Sequence, residues 1–213
     1  MSHLPESLAD RYRRFKFRHF EPNIDQYADL ANHGQSPEVM VVSCCDSRVD
    51  PETIFSAMPG ELFVVRNVAN LVPPYETTGK YHGVSAALEF AVLNLRVKHI
   101  LVLGHSNCGG IGASLDHGAA RQTEALFITH WMSIIDEGRD RVQRDWAGRS
   151  FAEMRTELER EAVRISIDNL RTFPFIQQME AKGRLQLHGA RFDIASGTLH
   201  ALNQATQEFV TVV

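Results

Sequence analysis

"GVSAALEFAVLNLRVKHILVLGH" (Gly83–His105) decides the fold class. Its first half carries Leu88, Ala91, Val92 and Leu95 at the spacing of one helical face. Its second half, "HILVLGH" (His99–His105), is a short β-branched and apolar run that fits a buried strand ending at Gly104. Upstream, "EVMVVS" (Glu38–Ser43) and "ELFVVRN" (Glu61–Asn67) read as two more strands. Strands alternating with helices predict an α/β fold, a mainly parallel central sheet flanked by helices. Two helical stretches over Pro5–Asn32, interrupted near Pro22, are expected to form an N-terminal arm. Further helices are expected over Glu124–Asp136 and over Phe151–Phe173, the second stopped by Pro174. The tail "RLQLHGARFDIASGTLHALN" (Arg184–Asn203) predicts two strands joined by a turn at Ser196-Gly197.

A chain of 213 residues suits a single domain over 1–213, with an arm at 1–33, a core at 35–112 and C-terminal strands at 184–204. Repeats, low-complexity tracts and flexible linkers are absent. The net charge of -4 argues against general affinity for nucleic acid or anionic membrane. No apolar run reaches the length of a membrane span. The N-terminus has no secretory apolar core, and its basic cluster from Arg11 to Arg18 is accompanied by Glu6 and Asp10, unlike a transit peptide. Three cysteines, an odd and sparse set, predict reduced thiols and a cytoplasmic location rather than a disulfide framework.

All three cysteines lie at predicted strand ends, where open α/β sheets bind ligands. One end is "CCDSR" (Cys44–Arg48) and the other is "GHSNCGG" (Gly104–Gly110). His105 and Cys108 can converge on one metal ion, and a cysteine from the other end completes a Cys2His set. That set suits catalytic zinc with one position open. Alternation in an extended chain puts Cys44, Asp46 and Arg48 on one side and Cys45 on the other, so Cys45 should not share the metal, and it reads as a small buried apolar residue.

These motifs resemble the β-class carbonic anhydrases. The family pattern Cys-x-Asp-x-Arg stands here as Cys44-Cys45-Asp46-Ser47-Arg48, and His-x-x-Cys-Gly-Gly as His105 to Gly110. The likeness runs from Gln35 to Gly112, with a weaker echo in "LHGARFDIASGTLHAL". It implies one Zn(2+) per chain on Cys44, His105 and Cys108, and a catalytic dyad of Asp46 and Arg48. It also implies a carbon dioxide pocket drawn from Gln35, Phe63, Val68, Phe90 and Gly109, with Phe90 standing where many members have Tyr. Val41 and Ser43 stand where bacterial members with an inhibitory bicarbonate site have Trp and Gly, so the plant-like subtype is expected. Arg66 does not discriminate between the subtypes. The family pairs into dimers and often tetramers, so a homodimer or homotetramer is implied.

The implied activity is zinc-dependent, reversible hydration of carbon dioxide to bicarbonate, with hydroxide oriented by the dyad. Two thiolates in place of imidazoles weaken the Lewis acid, so water should ionise at higher pH than on a three-histidine site. Arg48 would keep Asp46 ionised. His82, His99 and His117 are nearby in sequence and read as surface or structural residues. Competing readings are a carbon disulfide or carbonyl sulfide hydrolase on the same site, a non-catalytic zinc protein, and a thiol redox protein.

Overall fold

The computed structural model describes residues 4–117 and 125–212; the side chain of His117 and the whole of Glu124 lie outside the described residues. The chain divides into two compact units, Met1–Ser36 and Pro37–Val213.

The first unit carries α1 (Glu6–Phe15) and α2 (Ile24–His33). Between them a π-helical turn (Lys16–Phe20) and a 3-10 turn containing Pro22 interrupt the helix where proline was expected to. Phe20 packs on Tyr27, ring centroids 4.8 Å apart, and Gly34 with φ 81° ends α2.

The second unit is built on one six-stranded sheet of order β2-β1-β3-β4-β5-β6. Strands β1 (Val39–Cys44), β2 (Leu62–Asn67), β3 (His99–His105) and β4 (Gln186–Phe192) run parallel to one another; β5 (Leu199–Asn203) pairs antiparallel with β4, and β6 (Glu208–Thr211) antiparallel with β5. The expected α/β architecture is therefore present. Met40, Val42, Ile100, Val102 and Leu187 face a core completed by Val163, Ile167 and Leu170 of the long helix and by Leu88 and Val92.

The helices are α3 (Pro51–Ile54), α4 (Gly83–Glu89), α5 (Gly109–His117), α6 (Leu126–Met132), α7 (Asp136–Asp145), α8 (Phe151–Leu170) and α9 (Pro174–Ala181). Several boundaries differ from expectation. The helix read from Gly83 to Leu95 widens into a π turn at Phe90–Leu95, ended by Arg96 in the left-handed region. The segment expected as one helix to Asp136 breaks at a 3-10 turn (Ser133–Ile135), after which α7 continues to Asp145. Pro174 does not merely stop α8: its fixed φ suits a first helical turn, and it starts α9. Among the described residues no helix is long and apolar enough to cross a membrane.

Helix α8 lies close against the sheet because glycines leave room for it. A Cβ on Gly189 would sit 2.7 Å from Val163 Cγ1 and 2.8 Å from Ile167 Cδ1. Val163 is buried and stiff at χ1, so it cannot swing aside cheaply. We expect Gly189→Ala to cost about 1–3 kcal/mol of stability by overpacking. Urea unfolding checks this; an unchanged midpoint would show that the helix can lift without cost.

Candidate metal centre

Strands β1 and β3 are neighbours with Ser43 opposite Leu103, so their carboxyl ends open side by side. Cys44 comes from the first end, and His105 and Cys108 from the second. Their donor atoms lie within 4.8 Å of one another, and all three residues are buried. Among the described residues no other three histidine, cysteine or acidic side chains converge in this way.

The surroundings favour ligand forms of these groups. His105 Nδ1 donates to the Ser106 carbonyl at 2.9 Å, which leaves Nε2 with its lone pair pointing into the cluster. Nε2 is buried and has no hydrogen-bond partner in the chain. The Cys44 sulfur accepts the Ala69 N–H at 3.4 Å. The Cys44 pKa is lowered, first by the Cys108 thiol and also by the N–H groups of Asp46 and Ala69, against the opposing effect of burial. Cys108 is pushed up, chiefly by its bond to the Cys44 sulfur and by burial, although the Gly110 and Ile111 N–H groups pull it down. One proton shared between two sulfurs explains both directions. A divalent cation would replace that proton and relieve the repulsion, so the donor set fits zinc.

Beyond Cys44 the chain leaves the sheet. The Cys45 N–H donates to Asn67 O at 2.8 Å, and Cys45 stays out of the donor cluster as alternation predicted, but its side chain is exposed rather than buried. It is exposed because β1 ends at Cys44 and the chain turns there. Asp46 and Arg48 meet through a turn instead. The Asp46 carboxylate accepts the Arg48 N–H at 3.0 Å, Arg48 Nε at 2.9 Å and Nη2 at 2.6 Å. Arg48 holds Asp46 well below the usual carboxylate range. Asp46 Oδ2 reaches to 3.9 Å from His105 Nε2, at the edge of the cluster. Arg48 Nη2 also donates to Asn107 O at 3.1 Å, tying the two loops together.

Sequence reasoning gave no role to Arg66. Its guanidinium donates to Cys44 O at 2.9 Å and to Asp46 O and Val49 O at 2.8 Å each, so it shapes the whole loop after β1. Glu159 and Arg191 were missed as well. Glu159 Oε1 accepts the Cys108 N–H at 3.2 Å, while Oε2 binds Arg191 Nε and Nη2 at 2.9 and 2.7 Å. The available signal was an acid on the apolar stripe of α8, shared with Ala162, Val163 and Ser166.

The pocket residues are distributed unevenly. Val68 borders the cluster, since its Cγ1 would stand 2.8 Å from a Cβ on Gly110, two residues beyond Cys108. Gly109 begins α5, and a Cβ there would meet nothing within 4 Å. Phe63 and Phe90 touch each other, centroids 5.9 Å apart. Phe63 lies opposite Met40, four residues and about 13 Å of strand from Cys44. Gln35 is exposed and belongs to the first unit. Of the nearby histidines, His99 Nδ1 sits 3.1 Å from His188 Nε2, and His82 Nε2 is buried without a partner.

Comparison with known proteins agrees with this geometry. The family model described as carbonic anhydrase matches residues 39–199. "Beta carbonic anhydrase 3" of Arabidopsis thaliana is 40% identical over 196 residues, covering 91% of this chain and 74% of the relative. The structure of the β-carbonic anhydrase CcaA superposes with a TM-score of 0.91 at 29% identity, covering 97% of this chain and 98% of the other. A structure from Sordaria macrospora, one of two tetrameric β-carbonic anhydrases, gives a TM-score of 0.76 at 29% identity over 93% and 95%. The chain belongs to the β-class carbonic anhydrases and is an enzyme of that family.

The Asp46–Arg48 pairing has a direct readout. With its pKa depressed, Asp46 stays ionised below the ordinary carboxylate value of about 3.9. The stability it contributes is present above that value and fades as pH falls through the lowered one. Carboxyl carbon NMR should show the Asp46 midpoint moving upward in Arg48→Leu. An unmoved midpoint would mean that Arg48 is not the cause.

Proposed function

We propose that this chain catalyses the reversible hydration of carbon dioxide to bicarbonate and a proton, with one zinc ion held by Cys44, His105 and Cys108. The observation that carries the reading is the buried three-donor cluster with an arginine-held carboxylate at its edge. Bound there, zinc would supply a Lewis acid that lowers the pKa of water, though less far than a zinc held by three histidines.

The chain's own residues do the rest. Asp46 Oδ2 accepts the O–H of the attacking hydroxide, which turns an oxygen lone pair toward the carbon of carbon dioxide. One C–O bond forms, one C=O π pair moves onto oxygen, and bicarbonate results. The proton lost when water ionises passes to solvent. Arg48 keeps Asp46 an acceptor by holding it ionised and fixing its direction. Val68 and Gly109 would give the small apolar substrate a wall without a competing polar group, with Phe63 and Phe90 as further apolar lining.

A homodimer or homotetramer is part of this reading. The tetrameric Sordaria macrospora relatives support it, as do Leu8, Tyr12 and Phe17, large apolar side chains exposed on the helical arm. A cytoplasmic location suits three unpaired cysteines.

Stopped-flow carbon dioxide hydration, with zinc assayed on the same sample, tests the proposal. Activity should require about one zinc per chain and rise toward alkaline pH, because two thiolate ligands weaken the Lewis acid. Asp46→Asn should keep its zinc and lose activity by about 100-fold or more. Full zinc with no hydration at any pH would sink the proposal and turn attention to the sulfur analogues of the substrate.

A further inference from the structure

The mechanism above uses three ligands and a dyad, yet the most deeply buried ion pair near the cluster belongs to neither. Glu159, on α8, and Arg191, on β4, are 2% and 6% exposed. Arg191 shares the face of β4 on which Gly189 meets Val163 and Ile167 of α8, an apolar layer where apolar side chains would pack without any desolvation cost. A buried pair of this kind calls for a reason, and its second carboxylate oxygen provides one. While Oε2 is occupied by the Arg191 fork, Oε1 accepts the backbone N–H of Cys108.

Cys108 precedes α5, at the end of a loop that must turn sharply out of β3. Asn107 has φ 56°, a left-handed conformation that costs a non-glycine residue energy unless its surroundings hold it. The loop is held from both sides. Arg48 takes the Asn107 carbonyl, Arg155 takes the Asn107 side chain, and the Phe192 carbonyl accepts the Ser106 N–H at 2.9 Å. Arg155 and Glu159 are four residues apart, so a single face of α8 reaches both Asn107 and Cys108. Of these contacts, only the one from Glu159 falls on the backbone of a cluster residue.

We propose that Glu159, with Arg191 as its buried counter-charge, is a positioning residue that holds Cys108 in ligand geometry before metal arrives. This rests on the reading of Cys44, His105 and Cys108 as the zinc site. The carboxylate fixes the direction of the Cys108 N–H and with it the direction of the Cα–Cβ bond that carries the sulfur. Arg191 makes the carboxylate tolerable in an apolar layer and locks its orientation with two donors.

Two double variants separate this role from simple packing. Glu159→Gln/Arg191→Met removes both charges and keeps an acceptor for the Cys108 N–H. Glu159→Leu/Arg191→Met removes both charges and the acceptor as well. Replacing both partners together spares either variant an unpaired buried charge. Zinc affinity is read by competition with a chromophoric chelator, and the ligand field by the thiolate-to-cobalt band of the cobalt-substituted protein.

The glutamine variant should bind zinc within about fivefold of wild type, and the leucine variant about 10- to 100-fold more weakly, with a displaced cobalt band. Equal affinities and identical bands in the two variants would overturn the inference. If the leucine chain fails to fold by circular dichroism, Glu159→Met/Arg191→Met, also lacking the acceptor, takes its place. Wild type that binds no zinc would sink the reading of the cluster itself. Wild type that binds zinc beside two equal variants would sink only the role of Glu159.

Discussion

Two sulfur atoms and an imidazole nitrogen lie within 4.8 Å of one another in a buried place, and much of the second unit is arranged to make that bearable. Two thiolates that close repel, and burial worsens the repulsion. The chain offsets part of it with backbone N–H groups directed at both sulfurs and leaves the rest to a cation. The cluster exists because β1 and β3 are adjacent and parallel, so that two loops leave the sheet at the same edge.

From that edge a chain of donors runs outward. Arg66 collects carbonyls of the loop after β1, Arg48 bridges that loop to Asn107, and Glu159 reaches the other loop from behind. The effect is a carboxylate, Asp46, kept ionised and stationary beside the cluster at 3.9 Å from His105 Nε2. An acceptor held this way needs no rearrangement when an O–H bond arrives, which is the physical content of a preorganised site. In the proposed reaction Asp46 would serve the reacting oxygen, leaving the cluster a donor set of only sulfur and nitrogen.

Much of this was legible in the residues. The apolar runs at Val39–Cys44 and His99–His105 formed strands because central parallel strands are buried on both faces and read as continuous hydrophobic stretches, with the half-buried Leu62–Asn67 beside them at the sheet edge. The convergence of Cys44 with His105 and Cys108 followed from their places at strand ends. What the residues did not reveal was the exposure of Cys45, because the strand stops one residue earlier and a turn takes over. Helix α7 escaped because "DEGRDRVQRD" buries little more than Gly138, Arg139 and Val142, too thin a stripe for periodicity to reveal. Strand β6 escaped for a similar reason, with four residues and one half-buried side chain. Glu159 and Arg191 are long-range partners, 32 residues apart, and no local pattern joins them.

The central claim is that this buried trio binds one zinc through two sulfurs and one nitrogen. X-ray absorption at the zinc edge of the purified protein tests it most directly. The account predicts two sulfur neighbours at about 2.3 Å and nitrogen or oxygen at about 2.0–2.1 Å, unchanged in Cys45→Ser and losing one sulfur in Cys44→Ser. A wild-type spectrum with three sulfurs, or with none, would contradict it.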